Sequence, residues 1–177
     1  MENVTFHDLY EEYPDMYIDV AAEQKLLIEH DVIIMHFPLY WYSTPAILKE
    51  WQDLVLTHGW AYGQEGHALR HKLFFCTITT GGPETAYSLE GFNQATLPQL
   101  ILPLERTARL CEMVYLPPFV IHGTHLMPAE STNDHTAGYQ RFIKALTLQG
   151  IDLELAKQQP KLNQDLDLLI QEVDDVR

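Results

Sequence analysis

Cysteine and positive charge are both scarce in this chain. The 177 residues contain two cysteines, Cys76 and Cys111, and each stands inside an apolar stretch. This placement predicts reduced thiols in the core of a cytoplasmic protein. Eleven lysines and arginines face 25 acidic residues, so the formal net charge is −14 at pH 7. That balance argues against nucleic acid and anionic lipid surfaces as main partners, although backbone N–H groups could still bind an anionic cofactor.

Long hydrophobic runs and several catalytic motifs are also missing. No stretch approaches the roughly 18 apolar residues of a membrane-spanning helix, and the opening letters MENVTFHDLYEEY do not form a signal peptide. The sequence has no GxSxG elbow and no Walker loop, which leaves hydrolase and NTPase functions unsupported. Its nine histidines show no HExxH pattern, and His122 and His125 have no evident third ligand. We therefore expect no metal site.

The sequence does contain an alternation of apolar strands and amphipathic helices. An apolar fraction of 46% at this length predicts one globular domain. Residues 32–35 and 73–79 are apolar runs without polar alternation, typical of parallel strands covered on both faces. Further strands are predicted at 4–10, 113–116 and 119–122, and helices at 20–30, 44–59, 97–111 and 133–149. The pattern predicts an α/β fold with a doubly wound parallel sheet, preferably in flavodoxin-like strand order.

The stretch 31–63 organises the rest of the chain. Its strand ends in an aromatic loop, residues 37–42, with the sequence FPLYWY. Thr44 and Pro45 then predict a helix start, in which the threonine hydroxyl caps free N–H groups, and Gly59 predicts the helix end. Open α/β sheets bind ligands at the carboxyl ends of their strands, so the loop predicts a site for a flat, conjugated ligand. The alternative is that these aromatic rings simply pack beneath a loop.

A second loop with ligand-binding character follows the next buried strand. It consists of Thr79, Thr80, Gly81 and Gly82, which supply hydroxyls and unhindered backbone N–H groups. Alone, such a loop is weak evidence, because most turns of this kind only reverse the chain. Together with the aromatic loop on the neighbouring strand end, it predicts a two-sided pocket for an isoalloxazine ring.

Two longer motifs carry a resemblance to a known family. The segments HFPLYWYSTPAILKEWQDLVLTHGWAYG and TTGGPETAYSLEGFN resemble the flavodoxin-like NAD(P)H:quinone oxidoreductases. Within that family, residues 3–149 are most similar to the bacterial ancillary flavoproteins of the glutathione-gated Kef potassium-efflux systems. The resemblance implies a flavoprotein that binds FMN in preference to FAD. It also implies that this flavoprotein takes hydride from NAD(P)H and reduces quinones or other small electrophiles by a ping-pong route.

The resemblance also assigns roles to single residues. It implies that the flavin ring is lined by Pro38, Leu39, Tyr40, Trp41 and Tyr42, and that its other edge is cradled by Thr79, Thr80, Gly81 and Gly82. The implied catalytic residues are Tyr87 and Asn93. Tyr87 falls where members of the family place a tyrosine beside the acceptor. Asn93 falls where the mammalian quinone reductases have a histidine, so a histidine-assisted proton step does not carry over to this position.

The chain departs from the family at its start. Family members open with a strand and a His-x-x-x-x-Ser-x-x-Asn loop that binds the flavin phosphate, and nothing similar precedes Asn3. We therefore expect Met1 to mark a shortened gene model. If the chain is complete, its flavin affinity should be strongly weakened, and the exposed neighbours of the absent strand should favour oligomerisation or instability.

Two regions and two alternative functions are predicted. Residues 1–150 form an N-terminally truncated flavodoxin-like domain, and residues 151–177 form an acidic appendage with a helix after Pro160. This appendage docks either on its own subunit or on a partner.

One function is an FMN-dependent NAD(P)H:quinone oxidoreductase ancillary to potassium efflux, impaired by the absence of the phosphate loop. The alternative is a regulatory subunit of the potassium-efflux transporter with weak or no redox activity. The resemblance further implies a cytoplasmic homodimer, held at the inner face of the cell membrane through that transporter.

Overall fold

A parallel β-sheet forms the centre of the protein. The computed structural model describes residue 1 and residues 3–171. The strands are β1 (Val32–Pro38), β2 (Leu73–Thr79), β3 (Val114–Tyr115) and β4 (Phe119–Ile121). Strand β2 is central, because it pairs in parallel with β1 on one side and with both β3 and β4 on the other. Strands β3 and β4 follow one line along β2, and they are separated by two prolines that cannot donate hydrogen bonds to the ladder.

Helices cover both faces of the sheet. In the described part of the chain they are α1 (Leu9–Glu12), α2 (Val20–Glu29), α3 (Ala46–Val55), α4 (Leu97–Leu100), α5 (Leu102–Leu110), α6 (Ala129–Thr147), α7 (Leu153–Gln158) and α8 (Leu166–Leu169). Helices α2 to α5 pack on one face, where Ala108 shares a core with Cys76 of β2. Helices α6 to α8 pack on the other face, where Phe142 meets Phe75. The predicted doubly wound α/β fold is confirmed.

The helix that follows β1 differs from its prediction at both ends. Pro45 is the residue before its first turn, and no side chain caps that turn, so the predicted Thr44 cap is wrong. The helix ends at Val55, where the Leu56 N–H closes the last turn on the Gln52 carbonyl at 3.2 Å. Gly59 does adopt a left-handed φ of +81°, but it does so in the following turn. The helix is therefore shorter than its sequence pattern predicts.

The single helix predicted over residues 97–111 is in fact two helices. Thr96 and Gln99 form a reciprocal capping box at the start of α4, which fixes the first helical turn. Pro103 then interrupts the ladder, because it has no N–H to donate to the Gln99 carbonyl four residues earlier. The chain restarts as α5 after Ile101, with Pro103 in the first turn of the new helix.

The predicted strand at residues 4–10 is wrong. Residues 3–8 belong to no strand, and α1 begins at Leu9. The Asp8 carboxylate accepts hydrogen bonds from the N–H groups of Tyr10 (2.9 Å) and Glu11 (3.4 Å), so it caps this short helix. The local capping bonds therefore prevail over the strand-like composition of the segment.

A buried carboxylate ties the N-terminal segment to the helices. Glu23 of α2 is only 2% exposed, and its oxygens accept hydrogen bonds from His7 Nε2, Tyr13 Oη and Trp51 Nε1, each at 2.7 Å. Burial and the Glu23 carboxylate together raise the pKa of Tyr13, so that hydroxyl remains a donor. The satisfied carboxylate thus stabilises the packing of residues 3–19 against α2 and α3.

The C-terminal appendage packs on its own subunit as far as the structure describes it. Ile151, Ala156, Leu162 and Leu169 are buried in the same core as Phe75. Of the two alternatives, residues 151–171 therefore dock on their own subunit. Helix α8 is the helix predicted after Pro160. Residues 172–177 lie outside the described residues, and the domain boundary at residue 150 stays a prediction.

The remaining sequence expectations concern thiols and membranes. Cys76 and Cys111 are both free and buried, as predicted for core thiols. Burial raises the pKa of Cys111 to about 11 and also raises that of Cys76, so both remain protonated near neutral pH. None of the helices described combines the length and the apolar character needed to cross a bilayer.

Candidate functional site

The two predicted ligand-binding loops lie side by side at the carboxyl edge of the sheet. Strands β1 and β2 run in register, so Pro38 is paired with Thr79 at the end of the ladder. The Leu39 N–H then donates to the Thr79 carbonyl at 2.9 Å, which extends the ladder into both loops. The register of two parallel strands therefore places the aromatic loop next to the glycine loop.

The tip of the aromatic loop is a tight and strained turn. Tyr40 and Ser43 exchange two backbone hydrogen bonds, of 2.9 and 2.8 Å, around Trp41 and Tyr42. Both of these bulky residues have left-handed backbones, with φ of +46° and +64°. Such conformations normally favour glycine or asparagine and cost free energy for an aromatic residue. The turn holds the Trp41 ring 93% exposed, so the hypothesis that these rings pack beneath a loop fails for Trp41.

Hydrogen bonds join the glycine loop to residues 121–124, at the end of β4 and just after it, and we call this set of bonds the latch. The Thr80 N–H donates to the Ile121 carbonyl at 2.9 Å, and the Thr124 N–H donates back to the Thr80 carbonyl at 3.0 Å. The Gly123 N–H donates to the Gly82 carbonyl at 2.9 Å. In the described part of the chain, the N–H groups of Gly81 and Gly82 donate to no protein acceptor. The latch therefore leaves two backbone donors for a ligand at the strand ends.

Gly81 also allows a close approach to a histidine ring. A Cβ atom built at Gly81 would lie 2.4 Å from His125 Nε2. Any side chain here would therefore force the His125 ring to move. At Gly82, in contrast, a Cβ atom would make only ordinary contacts with Tyr87. The two glycines thus differ in their steric role.

His122 contacts both the glycine loop and Tyr87. Its Nδ1 lies 2.9 Å from Thr80 Oγ1, and its ring centroid lies 5.5 Å from that of Tyr87. Thr80 Oγ1 also lies 2.9 Å from the Gly82 carbonyl, so its hydroxyl bridges the glycine loop and the His122 ring. Burial lowers the pKa of His122, and the nearby Glu84 carboxylate partly offsets this effect. At neutral pH the ring is therefore neutral.

A cleft of about 510 Å³ opens between the two loops. It is lined by Tyr42, Gly82, Pro83, Thr85, Ala86, Tyr87, Phe92 and Asn93. The structure thus brings together four of the predicted site residues, which are Tyr42, Gly82, Tyr87 and Asn93. The other predicted residues lie on the adjoining loops and strand ends without lining this cleft, namely Pro38, Leu39, Tyr40, Trp41, Thr79, Thr80 and Gly81.

A second cleft, of about 450 Å³, lies between α3 and the α4–α5 pair. Thr44, Gln52, Thr107 and Cys111 are among its lining residues. It takes residues from neither the glycine loop nor the segment after β4. Four of the predicted site residues therefore line the first cleft, and none of them lines the second.

Sequence reasoning missed the contribution of His122, Thr124 and His125. In the sequence, the spacing of the two histidines suggests only a pair of metal ligands without an evident third ligand. Their position directly after a third predicted parallel strand is a signal that could have found them, because the carboxyl ends of parallel strands meet at one edge of the sheet. Their contacts with Thr80 and Gly81 depend on tertiary structure.

Comparison with known proteins identifies the family. Residues 1–146 match the family described as having a flavodoxin-like fold. The chain belongs to this flavodoxin-like family. The glutathione-regulated potassium-efflux system ancillary protein KefG of Cronobacter sakazakii is 46% identical over 143 residues. That match covers 81% of this chain and 78% of the relative. The resemblance seen in the two motifs is thus confirmed.

Several solved structures are similar to the chain in fold and sequence. The general stress protein 14 of Treponema denticola, in complex with FMN, is 40% identical with a TM-score of 0.69, covering 75% of this chain and 78% of its own. An NADPH-quinone reductase from P. pentosaceus is 31% identical with a TM-score of 0.68, covering 76% and 83%. A thermophilic tryptophan halogenase from Streptomycin violaceusniger is 42% identical with a TM-score of 0.79, covering 81% and 83%.

Proposed function

We propose that this chain is an FMN-dependent NAD(P)H:quinone oxidoreductase that serves a potassium-efflux system. The observation that carries the proposal is the cleft between the strained aromatic turn and the latched glycine loop. A KefG protein and an NADPH-quinone reductase among its relatives support this activity and this physiological setting. The general stress protein 14 bound to FMN supports the choice of cofactor.

The residues of the cleft fit a flavin ring. Tyr42 and Tyr87 offer planar surfaces, and the Gly82 N–H in the cleft and the Gly81 N–H beside it offer donors for the oxygen and nitrogen atoms of the ring. When bound there, FMN would supply the hydride chemistry, accepting from NAD(P)H and delivering to a quinone. The protein's part is to orient the reactants and exclude water.

Three side chains would then act on the acceptor side of the cleft. Tyr87 is a hydroxyl donor at the cleft wall, and Asn93 offers an amide beside it. His122 supports both the Tyr87 ring and the Thr80 hydroxyl from outside the cleft. We assign hydrogen bonding of the acceptor to Tyr87 and Asn93, and positioning to His122.

Two further features belong to the same proposal. The exposed aromatic turn would be covered by a second copy of the chain, giving a homodimer with Trp41 at its interface. A cytoplasmic location at the inner face of the membrane would follow from binding to the transporter. In the alternative function, the same fold activates the transporter and redox turnover is weak or absent.

An absorbance spectrum tests the proposal. The purified chain is mixed with excess FMN and desalted, and NADH or NADPH is added, followed by menadione. We expect a retained flavin band that the nicotinamide bleaches and the quinone restores. A colourless protein would overturn FMN binding by the chain, and a retained band that the nicotinamide cannot bleach would overturn the enzyme and leave the regulatory subunit.

A further inference from the structure

Three consecutive residues of the C-terminal appendage contact either the 83–93 loop of the cleft or the β4 region of the sheet. Lys161 Nζ donates to Glu84 Oε1 at 2.7 Å, across 77 positions of sequence. The Leu162 N–H donates to the Pro118 carbonyl at 2.9 Å, and its side chain is fully buried. Asn163 binds the backbone of Val120. We call residues 161–163 the C-terminal clamp.

Asn163 completes the free edge of β4. Its Oδ1 accepts from the Val120 N–H at 2.9 Å, and its Nδ2 donates to the Val120 carbonyl at 2.7 Å. The side-chain amide thereby takes the place of a neighbouring strand, while the other edge of β4 pairs with β2. Two residues further on, His122 contacts Thr80 of the glycine loop. The clamp therefore fixes the strand that carries the latch.

Lys161 holds the loop that forms the other wall of the cleft. Glu84 opens the short 3-10 turn Glu84–Ala86, which leads directly to Tyr87. The Lys161 ammonium lowers the pKa of Glu84, so the pair is charged at neutral pH. The Lys161 side chain is 18% exposed and that of Glu84 is 64% exposed. The Lys161 ammonium is thus fixed by its surroundings, and it anchors the more exposed Glu84 carboxylate of the loop.

These contacts come from outside the part of the chain that defines the family. The flavodoxin-like match ends at residue 146, whereas the clamp begins at residue 161. We propose that Lys161 and Asn163 are positioning residues for the acceptor side of the cleft, holding the 83–93 loop and β4 in the geometry that binds the quinone. This inference rests on the proposed quinone reduction, because it names residues that serve the same cleft.

The expected effect concerns the acceptor more than the cofactor. Glu84 is mostly exposed, so loss of its partner should loosen the loop without unfolding the protein. We expect Lys161→Glu to raise KM for menadione about three- to fivefold, the range expected for a partly exposed ion pair. The value of kcat and the affinity for FMN should change less than twofold.

A charge-swap series tests the clamp. The variants are Lys161→Glu, Glu84→Lys and the two combined, and the matched control is Lys157→Glu, which breaks the ion pair with Glu154 inside α7. Hydrogen exchange of the 83–93 segment is measured beside KM, since it reports on the loop without any turnover. We expect faster exchange and a raised KM in each single variant, recovery of both in the double variant, and no change in the control.

The outcomes separate the clamp from the proposed function. Exchange in the 83–93 segment that is unchanged by Lys161→Glu, or equally changed by Lys157→Glu, would overturn the clamp whatever the turnover. A raised KM that the double variant does not recover would also overturn it. If the parent chain reduces no quinone while exchange still responds to the swap, the proposed function fails and the assignment of the clamp to the acceptor fails with it. The contact itself would then stand as structural.

Discussion

Replacing Thr80 by valine tests the latch beneath the cleft. Thr80 is 1% exposed, and its hydroxyl lies within hydrogen-bond distance of the Gly82 carbonyl and of His122 Nδ1, each at 2.9 Å. Valine keeps the shape of the side chain and removes both hydrogen bonds. The Gly82 carbonyl still accepts from the Gly123 N–H, but the half-buried His122 loses its partner.

The magnitude follows from the two lost bonds. At about 1 kcal/mol for each, Thr80→Val should lower the free energy of unfolding by about 2 kcal/mol. With a urea m-value of about 2 kcal/mol/M, the midpoint of unfolding should fall by about 1 M. The affinity for FMN should fall about fivefold, equivalent to about 1 kcal/mol, because the N–H donors of the glycine loop are no longer held in place.

Thr77→Val is the matched control for this substitution. Thr77 is equally buried, three residues earlier in the chain, and its hydroxyl makes one longer hydrogen bond, of 3.2 Å, to Tyr139. We expect it to cost about 0.5–1 kcal/mol and to leave FMN affinity unchanged. Equal urea midpoints for the two variants, or a larger loss in Thr77→Val, would refute the reasoning about the latch.

Three further predictions concern residues outside the cleft. Glu23→Leu should lower the free energy of unfolding by about 3–5 kcal/mol in a urea titration, because the buried Tyr13 and Trp51 and the part-buried His7 lose their acceptor, and a loss below about 1 kcal/mol would contradict this. Cys76 and Cys111 should react with Ellman's reagent at about pH 8 only after denaturation, since their thiols stay buried and protonated, and fast labelling of the native protein would show otherwise. The Arg70 guanidinium holds the pKa of Glu112 at about 2. The ion pair therefore stabilises the fold at a pH above the ordinary carboxyl pKa, and this stabilisation is lost as the pH falls toward 2. A carboxyl NMR titration should find that pKa raised in Arg70→Met, and an unchanged value would exclude the pair.

Much of the fold follows from local patterns in the sequence. The run LFFCTIT predicts β2 with its observed bounds, because a strand covered on both faces must be apolar throughout. Strand β1 runs on to Pro38, three residues past its predicted end at Met35. The break at Ile101 follows from Pro103, but helical periodicity continues across it and masks the interruption.

The site is predictable only in part, since some of its contacts join distant segments. Tyr42 and Gly82 follow from loops at two neighbouring strand ends, Tyr87 and Asn93 follow from the family resemblance, and the structure places all four in one cleft. The pairing of Lys161 with Glu84 has no signal in the sequence, because a lysine and a glutamate 77 residues apart are ordinary surface residues until the chain folds.

Equilibrium binding of FMN to two single-cleft variants tests the central claim most directly. Tyr42→Ala removes a ring from the first cleft, and Thr107→Ala removes from the second cleft a hydroxyl that bonds only within α5. If the flavin ring lies in the first cleft, Tyr42→Ala should weaken FMN binding by about tenfold, or about 1.4 kcal/mol, and Thr107→Ala should leave it within twofold of the parent. Parent-like affinity in Tyr42→Ala, or a loss confined to Thr107→Ala, would contradict the account.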